Sequence, residues 1–383
     1  MKLFMSAGEV SGDMYGGDLI QALRRKDPSI ECVGMGHHQM RAAGATILAD
    51  VTTASTIGFI EPIRYIPRLL RTYYAMKRAL ITQKPDAVIV IDYQGYHQWF
   101  ATAAMRYGIP VIYYIAPQEW QWGTEAGGRR VVGYTHKIMA IFKEEADFYT
   151  RLGGDVTFVG HPIRSRICPQ MSRDAFYAQE GILLDKRIVS GFPGSRVQEL
   201  THLLPIFLPA VASILTHFSD VVVRISVASP VYAARIQAAM MAYGLTDRVA
   251  LYTGDSHELI QHTHVSIVSS GTVTLEHACL GVPFIANYRL GRLSYAIAKA
   301  VVGSKITHIA LPNNLAKRRI VPEYIQDDCT VNTVVAAATD LLSSPAKHAR
   351  MQDELRQVAA SLGDGGAADK AAQVIMDYVG KKK

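Results

Sequence analysis

Two stretches of the chain place small residues and backbone N–H groups where a phosphate would sit. Residues 190–199 read Ser-Gly-Phe-Pro-Gly-Ser-Arg-Val-Gln-Glu, and residues 269–276 read Ser-Ser-Gly-Thr-Val-Thr-Leu-Glu. Each lies between an apolar, strand-like run and a helix-like run. Each therefore opens a helix N-terminus, where the macrodipole and orphan N–H donors favour an anion. Arg196 adds a planar, permanently charged fork that matches two phosphate oxygens. Two such turns in one half of the chain point to a nucleotide diphosphate. Gly194, Ser195, Arg196, Ser270, Gly271 and Thr272 are its expected donors.

The elements that must position these turns follow from the apolar pattern. Strands are expected near 2–6, 31–34, 46–49, 86–91, 110–115, 137–142 and 156–159, with helices at 12–26, 64–83, 98–107 and 143–152 between them. After Gly160-His161-Pro162 a second series begins, with strands near 187–192, 220–225, 249–252, 264–268 and 282–286. Its helices are expected at 196–217, 230–242, 271–280 and 291–301, and from about 330 the chain reads as helical. Such alternation predicts an α/β protein of two doubly wound, Rossmann-like domains with a ligand cleft between them. The expected division is 1–164, a first Rossmann-like domain; 165–345, a second that carries both glycine turns; and 346–383, C-terminal helices packing back on the first domain or on a partner subunit.

Composition sets the outer bounds. A chain of 383 residues exceeds the roughly 250–300 that one core supports. The net charge of +7 suits an anionic ligand or membrane surface, or merely ordinary solvated basic faces. Cys32, Cys168, Cys279 and Cys329 show neither a C-x-x-C pair nor zinc spacing and read as reduced thiols. His37-His38, His161 and His262-x-His264 lack a carboxylate or thiol at ligand spacing, so no metal is expected. The N-terminal apolar run is too short for a signal peptide, and no stretch reaches the roughly 18 apolar residues of a spanning helix. The turn Ala7-Gly8-Glu9-Val10-Ser11-Gly12-Asp13 is not G-x-G-x-x-G, which disfavours a dinucleotide; Ser11 or Asp13 is expected to cap the following helix.

Taken in order, several motifs resemble one family. They are Ala7-Gly8-Glu9-x-Ser11-Gly12-Asp13, Pro117-Gln118-x-Trp120-x-Trp122, Gly160-His161-Pro162, Pro193-Gly194-Ser195-Arg196, Ser270-Gly271-Thr272-x-x-Leu275-Glu276 and Leu311-Pro312-Asn313. Over residues 3–330 the sequence is similar to the lipid-A-disaccharide synthases, inverting GT-B glycosyltransferases with no required metal or cofactor. The resemblance implies transfer from UDP-2,3-diacylglucosamine to 2,3-diacylglucosamine 1-phosphate through a β(1→6) bond, releasing UDP. Asp92, closing the apolar strand 87–91, matches the Asp of the family's Ile-Asp motif and is the expected general base; a turn-capping Asp is the plainer alternative. Glu9 joins it on the catalytic side, with Ser11, Asp13 and His161 ordering the acceptor. On the donor side Glu276 is expected at the ribose, and Asn313 and Gln326 at the sugar or uridine. Trp120 and Trp122 read as core or hinge packing.

The strip 57–71 interleaves apolar and basic residues. Phe59, Ile60, Ile63, Ile66 and Leu70 are expected to enter an anionic membrane surface while Arg64, Arg68 and Arg71 meet headgroups, although a helix packed on its own sheet has the same pattern. The implied location is cytoplasmic, peripheral on the inner face of the cytoplasmic membrane. No nucleic-acid partner is expected, and a homodimer stays open. The sequence departs from the family after Asp92: Tyr93-Gln94-Gly95-Tyr96-His97 stands where Pro-Asp-Phe-Asn is usual. Gly36-His37-His38-Gln39-Met40 and Phe142-Lys143-Glu144 depart too, all in the acceptor-side half. Two other readings stay open: another UDP-sugar enzyme, with a different acceptor or a 2-epimerase activity, and a non-catalytic sugar-nucleotide-binding protein.

Overall fold

A computed structural model describes residues 1–50, 66–121, 123–245, 248–291, 295 and 308–381. The chain forms two units, Met1–Ser165 with Leu362–Lys383, and Arg166–Ser361. The segment 346–383 therefore does not stand as one piece. Its helix Pro345–Ser361 belongs to the second unit, and the last helix, Ala367–Gly380, packs on Val10–Lys26 in the first. An Arg25–Asp369 ion pair at 2.7 Å and a Lys26–Gln373 hydrogen bond at 2.9 Å line that contact.

The first unit is built on seven parallel strands: β1 Lys2–Ala7, β2 Glu31–Met35, β3 Thr46–Ala49, β4 Ala87–Ile91, β5 Val111–Tyr114, β6 Lys137–Ala140 and β7 Val156–Phe158. Their order is β3-β2-β1-β4-β5-β6-β7. The chain builds outward on one side of β1, then returns to start the other side at β4. That reversal opens a crevice at the carboxyl ends of β1 and β4. Every residue of β4 is fully buried, as a central parallel strand covered on both faces requires.

The second unit repeats the plan with β8 Arg187–Phe192, β9 Val221–Ser226, β10 Val249–Tyr252, β11 Val265–Ser269, β12 Phe284–Tyr288 and β13 Glu323–Ile325, ordered β10-β9-β8-β11-β12-β13. Here the reversal lies between β8 and β11, the two strands that lead into the glycine turns.

Three expectations need adjusting. The helix after β4 is Gln94–Arg106, four residues earlier than the apolar pattern suggests, because its first turn is polar and glycine-containing. The strand β13 and the helices Glu125–Gly133, Arg173–Gln179, Ser256–Gln261 and Leu311–Ala316 are too short to show a period and went unread. The helix Val197–His217 is, by length and composition, apolar enough to cross a membrane, contrary to the reading above. Leu200, Leu203, Leu204, Phe207, Leu208, Val211 and Ile214 are buried within the second unit, so it serves there as a core helix despite Pro205 and Pro209. The helix expected at 291–301 and the residues Phe59, Ile60, Ile63 and Trp122 lie outside the described residues, apart from residues 291 and 295. Ile66 opens the helix Ile66–Gln83, on which Leu70 is exposed.

Candidate active site

In the first unit β1 and β4 pair with Ala7 opposite Ile91, so the turns that follow them are neighbours. The turn after β4 is strained. Asp92 and Tyr93 both lie in the left-handed region, at φ 53° and 57°, which side chains with a Cβ rarely enter. Several bonds hold them there. The Asp92 carbonyl accepts from His97 Nδ1 at 2.5 Å and from the Tyr113 hydroxyl at 3.0 Å, while its Oδ1 accepts the Tyr93 N–H at 2.8 Å. A carbonyl can only accept, so Nδ1 of His97 carries the proton. Nε2 is then left to accept from the Ser6 hydroxyl at 2.9 Å. Burial keeps this imidazole neutral, its pKa lowered to about 4. Ser6 on β1 and His97 on the following helix thus lock the turn that presents Asp92.

Burial raises the Asp92 carboxyl above the usual carboxylate range, partly offset by the Tyr93 N–H bond. A carboxylate so placed is a stronger base than one in water. The Tyr93 ring lies over Gly8: a Cβ there would come within 2.1 Å of Tyr93 Cδ1, so the β1 turn requires glycine at this position. Nearby in sequence to the β6 edge, Glu145 is fully buried. Its Oε2 accepts from Ile141 and Phe142 N–H at 2.9 and 3.2 Å, whereas Oε1 has no partner among the described residues. Burial pushes its pKa up to about 8.

In the second unit β8 and β11 pair with Phe192 opposite Val268, which sets the two glycine turns side by side. Gly194 has φ 123°, and the turn delivers Ser195 and Arg196 to the N-terminus of Val197–His217. Glu199, one turn on, folds back over it. One carboxylate oxygen accepts the Ser195 N–H at 2.7 Å and the other meets Arg196 Nη1 at 3.0 Å. A Cβ at residue 194 would lie 2.3 Å from that carboxylate, so glycine is needed for this approach as well. In the second turn Ser270 Oγ donates to the Ile309 carbonyl at 3.0 Å, and Gly271 and Thr272 are exposed before the helix Val273–Leu280. Glu276 lies 3.9 Å from His257 Nε2, and its carboxylate raises the His257 pKa.

A buried polar chain ties these turns together. His277 Nδ1 donates to the Val273 carbonyl and its Nε2 accepts from Ser266, each at 2.7 Å; Ser266 meets Ser190 at 2.7 Å. Ser190 lies on β8, Ser266 on β11 and His277 on the helix after it. The arrangement parallels Ser6–His97 in the first unit.

Not every expected site residue has surface to offer a ligand. Asp13 does not cap its own helix, which begins at Val10. Its carboxylate is buried and accepts the N–H groups of His37, Gln39 and Met40 at 2.6, 2.8 and 3.2 Å, capping the helix His38–Ala42 instead. Ser11 also lies inside Val10–Lys26, half-buried, whereas Glu9 at the helix start is exposed. His161 is buried on Phe142, its Nδ1 accepts the Ile163 N–H at 3.1 Å, and burial depresses its pKa to about 3. Asn313 is fully buried. Its amide oxygen accepts from Ile320 and Val321 at 2.7 and 2.9 Å and its nitrogen donates to the Val321 carbonyl at 3.0 Å, so it shapes a loop and has no face for a sugar. Gln326, at φ 52°, clips the backbone of Leu290 at 2.8 Å in the same structural manner.

Sequence reasoning passed over His97, His277, Glu145 and Glu199. A histidine inside an apolar helix facing a strand serine was the available signal for the first two. A carboxylate three residues after Arg196 was the signal for the last.

Residues 3–376 match the family described as lipid-A-disaccharide synthetase. The chain is 32% identical over 382 residues to a lipid-A-disaccharide synthase of Geobacter sulfurreducens, covering 100% of this chain and 98% of that one. It is 34% identical over 388 residues to that of Prochlorococcus marinus, covering 98% and 99%. Among solved structures it resembles the S. aureus MnaA–UDP co-structure, with a TM-score of 0.66, 14% identity and 99% and 97% coverage. It also resembles a Neisseria meningitidis UDP-GlcNAc 2-epimerase bound to UDP-GlcNAc, with a TM-score of 0.63, 14% identity and full coverage of both chains. At that identity the structural likeness speaks for the fold.

Proposed function

The chain belongs to the lipid-A-disaccharide synthase family, and on that premise we propose how its residues divide the work of glycosyl transfer. It is a hexosyltransferase of lipid A biosynthesis with two Rossmann-like units of the GT-B fold. The family match disfavours the 2-epimerase and non-catalytic readings. The donor is UDP-2,3-diacylglucosamine and the acceptor 2,3-diacylglucosamine 1-phosphate.

In this reading Asp92 takes the proton from the acceptor's 6-hydroxyl as that oxygen attacks the anomeric carbon of the donor. The bond from that carbon to the diphosphate oxygen breaks, and its electron pair leaves with UDP. Attack from the face opposite the leaving group inverts the anomeric centre. The raised basicity of Asp92 suits general-base work, which typically contributes about 10²–10⁴-fold. His97 and Ser6 act on it as positioning residues. In the second unit Arg196 and the amides of Ser195, Gly271 and Thr272 supply the positive potential that stabilises the departing diphosphate, in place of a divalent ion. Glu276 accepts the ribose hydroxyls.

The observation that carries this reading is the Asp92 turn, where a strained backbone, held by buried partners, presents a basic carboxylate at the switch point of the first sheet. We assign the enzyme to the inner face of the cytoplasmic membrane, where the strip 57–71 meets anionic lipid. Incubating purified protein with both lipid substrates tests the assignment. Release of UDP together with a disaccharide 1-phosphate, dependent on both substrates and unaffected by EDTA, is the expected result. Conversion of the donor alone to an epimer would instead support the 2-epimerase reading.

A further inference from the structure

A cavity of about 370 Å³ opens beside the Asp92 turn, entirely within the first unit. Leu69, Leu70 and Tyr73 of the helix Ile66–Gln83 form one wall, and Tyr93, Tyr96 and Trp99 form the other, with Gly95 between them. Its volume lies within the roughly 300–1,000 Å³ of clefts that hold small ligands. Among the described residues, none that lines it carries a formal charge. Two large apolar side chains at its edge are left in water, Trp99 at 61% and Leu70 at 42% exposure. A lone exposed apolar residue means little, but exposed apolar residues rimming an apolar cavity mark a binding surface.

Two features narrow the occupant. Tyr93 is at once a wall of the cavity and the residue after Asp92, so whatever fills the cavity lies next to the reacting hydroxyl. Gly95 stands in the first turn of Gln94–Arg106, and a Cβ at that position would meet nothing within 4 Å. The open space continues at Gly95.

We infer that this cavity receives one acyl chain of the acceptor, and that Gly95 and Trp99 set the chain length it accepts. The inference rests on the proposed role of Asp92, which fixes the acceptor rather than the donor as the sugar nearest the cavity. A saturated chain has the required chemistry, since it offers only methylenes to aliphatic and aromatic walls. Each methylene taken from water contributes roughly fourfold in affinity, so a cavity of limited depth converts chain length into specificity.

The test uses the full-length enzyme and a series of acceptors that differ only in acyl length. For the wild type, kcat/KM should climb by roughly fourfold per methylene and then level off when the cavity is full. Gly95→Leu places its side chain in the open space and should move the plateau to shorter chains. Trp99→Ala should move it to longer ones. Gly95→Ala, favoured in a helix, serves if the leucine variant misfolds and should shift the plateau the same way by less. A Gly95→Leu enzyme that turns over with the wild-type length profile overturns the inference while leaving the functional reading intact. Failure of the wild type to form disaccharide at any length would instead remove the functional reading. Trp99 emission then decides the cavity: a blue shift that grows with chain length and is lost in Trp99→Phe supports it. A shift produced equally by plain phospholipid vesicles makes the cavity a bilayer contact and overturns the inference.

Discussion

Glu199 occupies the donors that Arg196 and its neighbour would give a diphosphate: Nη1 of Arg196 meets one carboxylate oxygen at 3.0 Å and the Ser195 N–H meets the other at 2.7 Å. In the proposed donor site the internal carboxylate stands where the ligand's own anionic oxygens would lie. UDP would then have to displace it, leaving Arg196, more than half exposed, to turn its fork to the phosphates. Glu199→Gln should therefore bind UDP several-fold more tightly, because a neutral amide competes less. Arg196→Ala should weaken UDP binding by at least tenfold, since charge-assisted hydrogen bonds contribute roughly 1.5–3 kcal/mol each. Titration calorimetry reads both. Weaker binding by Glu199→Gln would show that Glu199 serves to hold Arg196 in place.

Asp92→Asn keeps the size of the side chain and an oxygen for the Tyr93 N–H, but removes the proposed proton acceptor. Turnover should fall by about 10²–10⁴-fold while UDP affinity stays near wild type. Near-normal turnover would mean that another group takes the proton.

Stability should depend on pH in two opposed ways. His97 and His277 have folded-state pKa values lowered to about 4 from 6.5, so the unfolded chain binds more protons between those values. Their contribution is complete above pH 6.5 and falls by roughly 3 kcal/mol per histidine, from about 1.4 kcal/mol per unit, on acidification to about pH 4. Glu145 behaves inversely. Its pKa is raised to about 8 from 4.5, so its contribution is present below pH 4.5 and is lost as pH rises through 8. Urea midpoints for the wild type should peak near pH 6.5, decline below it, and decline again from pH 6.5 to about 8, where the Glu145 loss is complete. Glu145→Gln should abolish the alkaline decline, and a variant that retains it would place its cause elsewhere.

Replacing Ile60, Ile63, Ile66 and Leu70 with Ser should cut binding to anionic vesicles. Each square ångström of apolar surface leaving water contributes about 25 cal/mol, and each nearby arginine about 1 kcal/mol on anionic lipid. Flotation with and without acidic lipid measures both parts. If the variant aggregates or melts early, the strip packs against the protein.

Much of this enzyme was legible in its sequence because the signals are local. Parallel strands covered on both faces must be apolar throughout, so β4 and β8 announced themselves. A glycine turn before a helix favours an anion through local backbone geometry alone, so Arg196 and Ser270-Gly271-Thr272 could be proposed as donors without coordinates. The ordered motifs pointed to the family on the same grounds. What sequence could not settle was which polar side chains are already engaged. Asp13 and Asn313 sit in motifs that look functional, yet their partners come from residues 7–27 positions away and bury them completely. His97 reads as an unremarkable helical histidine until β1 brings Ser6 beneath it from 91 residues away. The cavity beside Asp92 has walls from two helices, and no single segment carries it. Local chemistry thus determined the fold and the reaction class. Long-range packing decided which residues remain free to act, because a hydrogen-bonding group spent inside the fold has nothing left for a substrate.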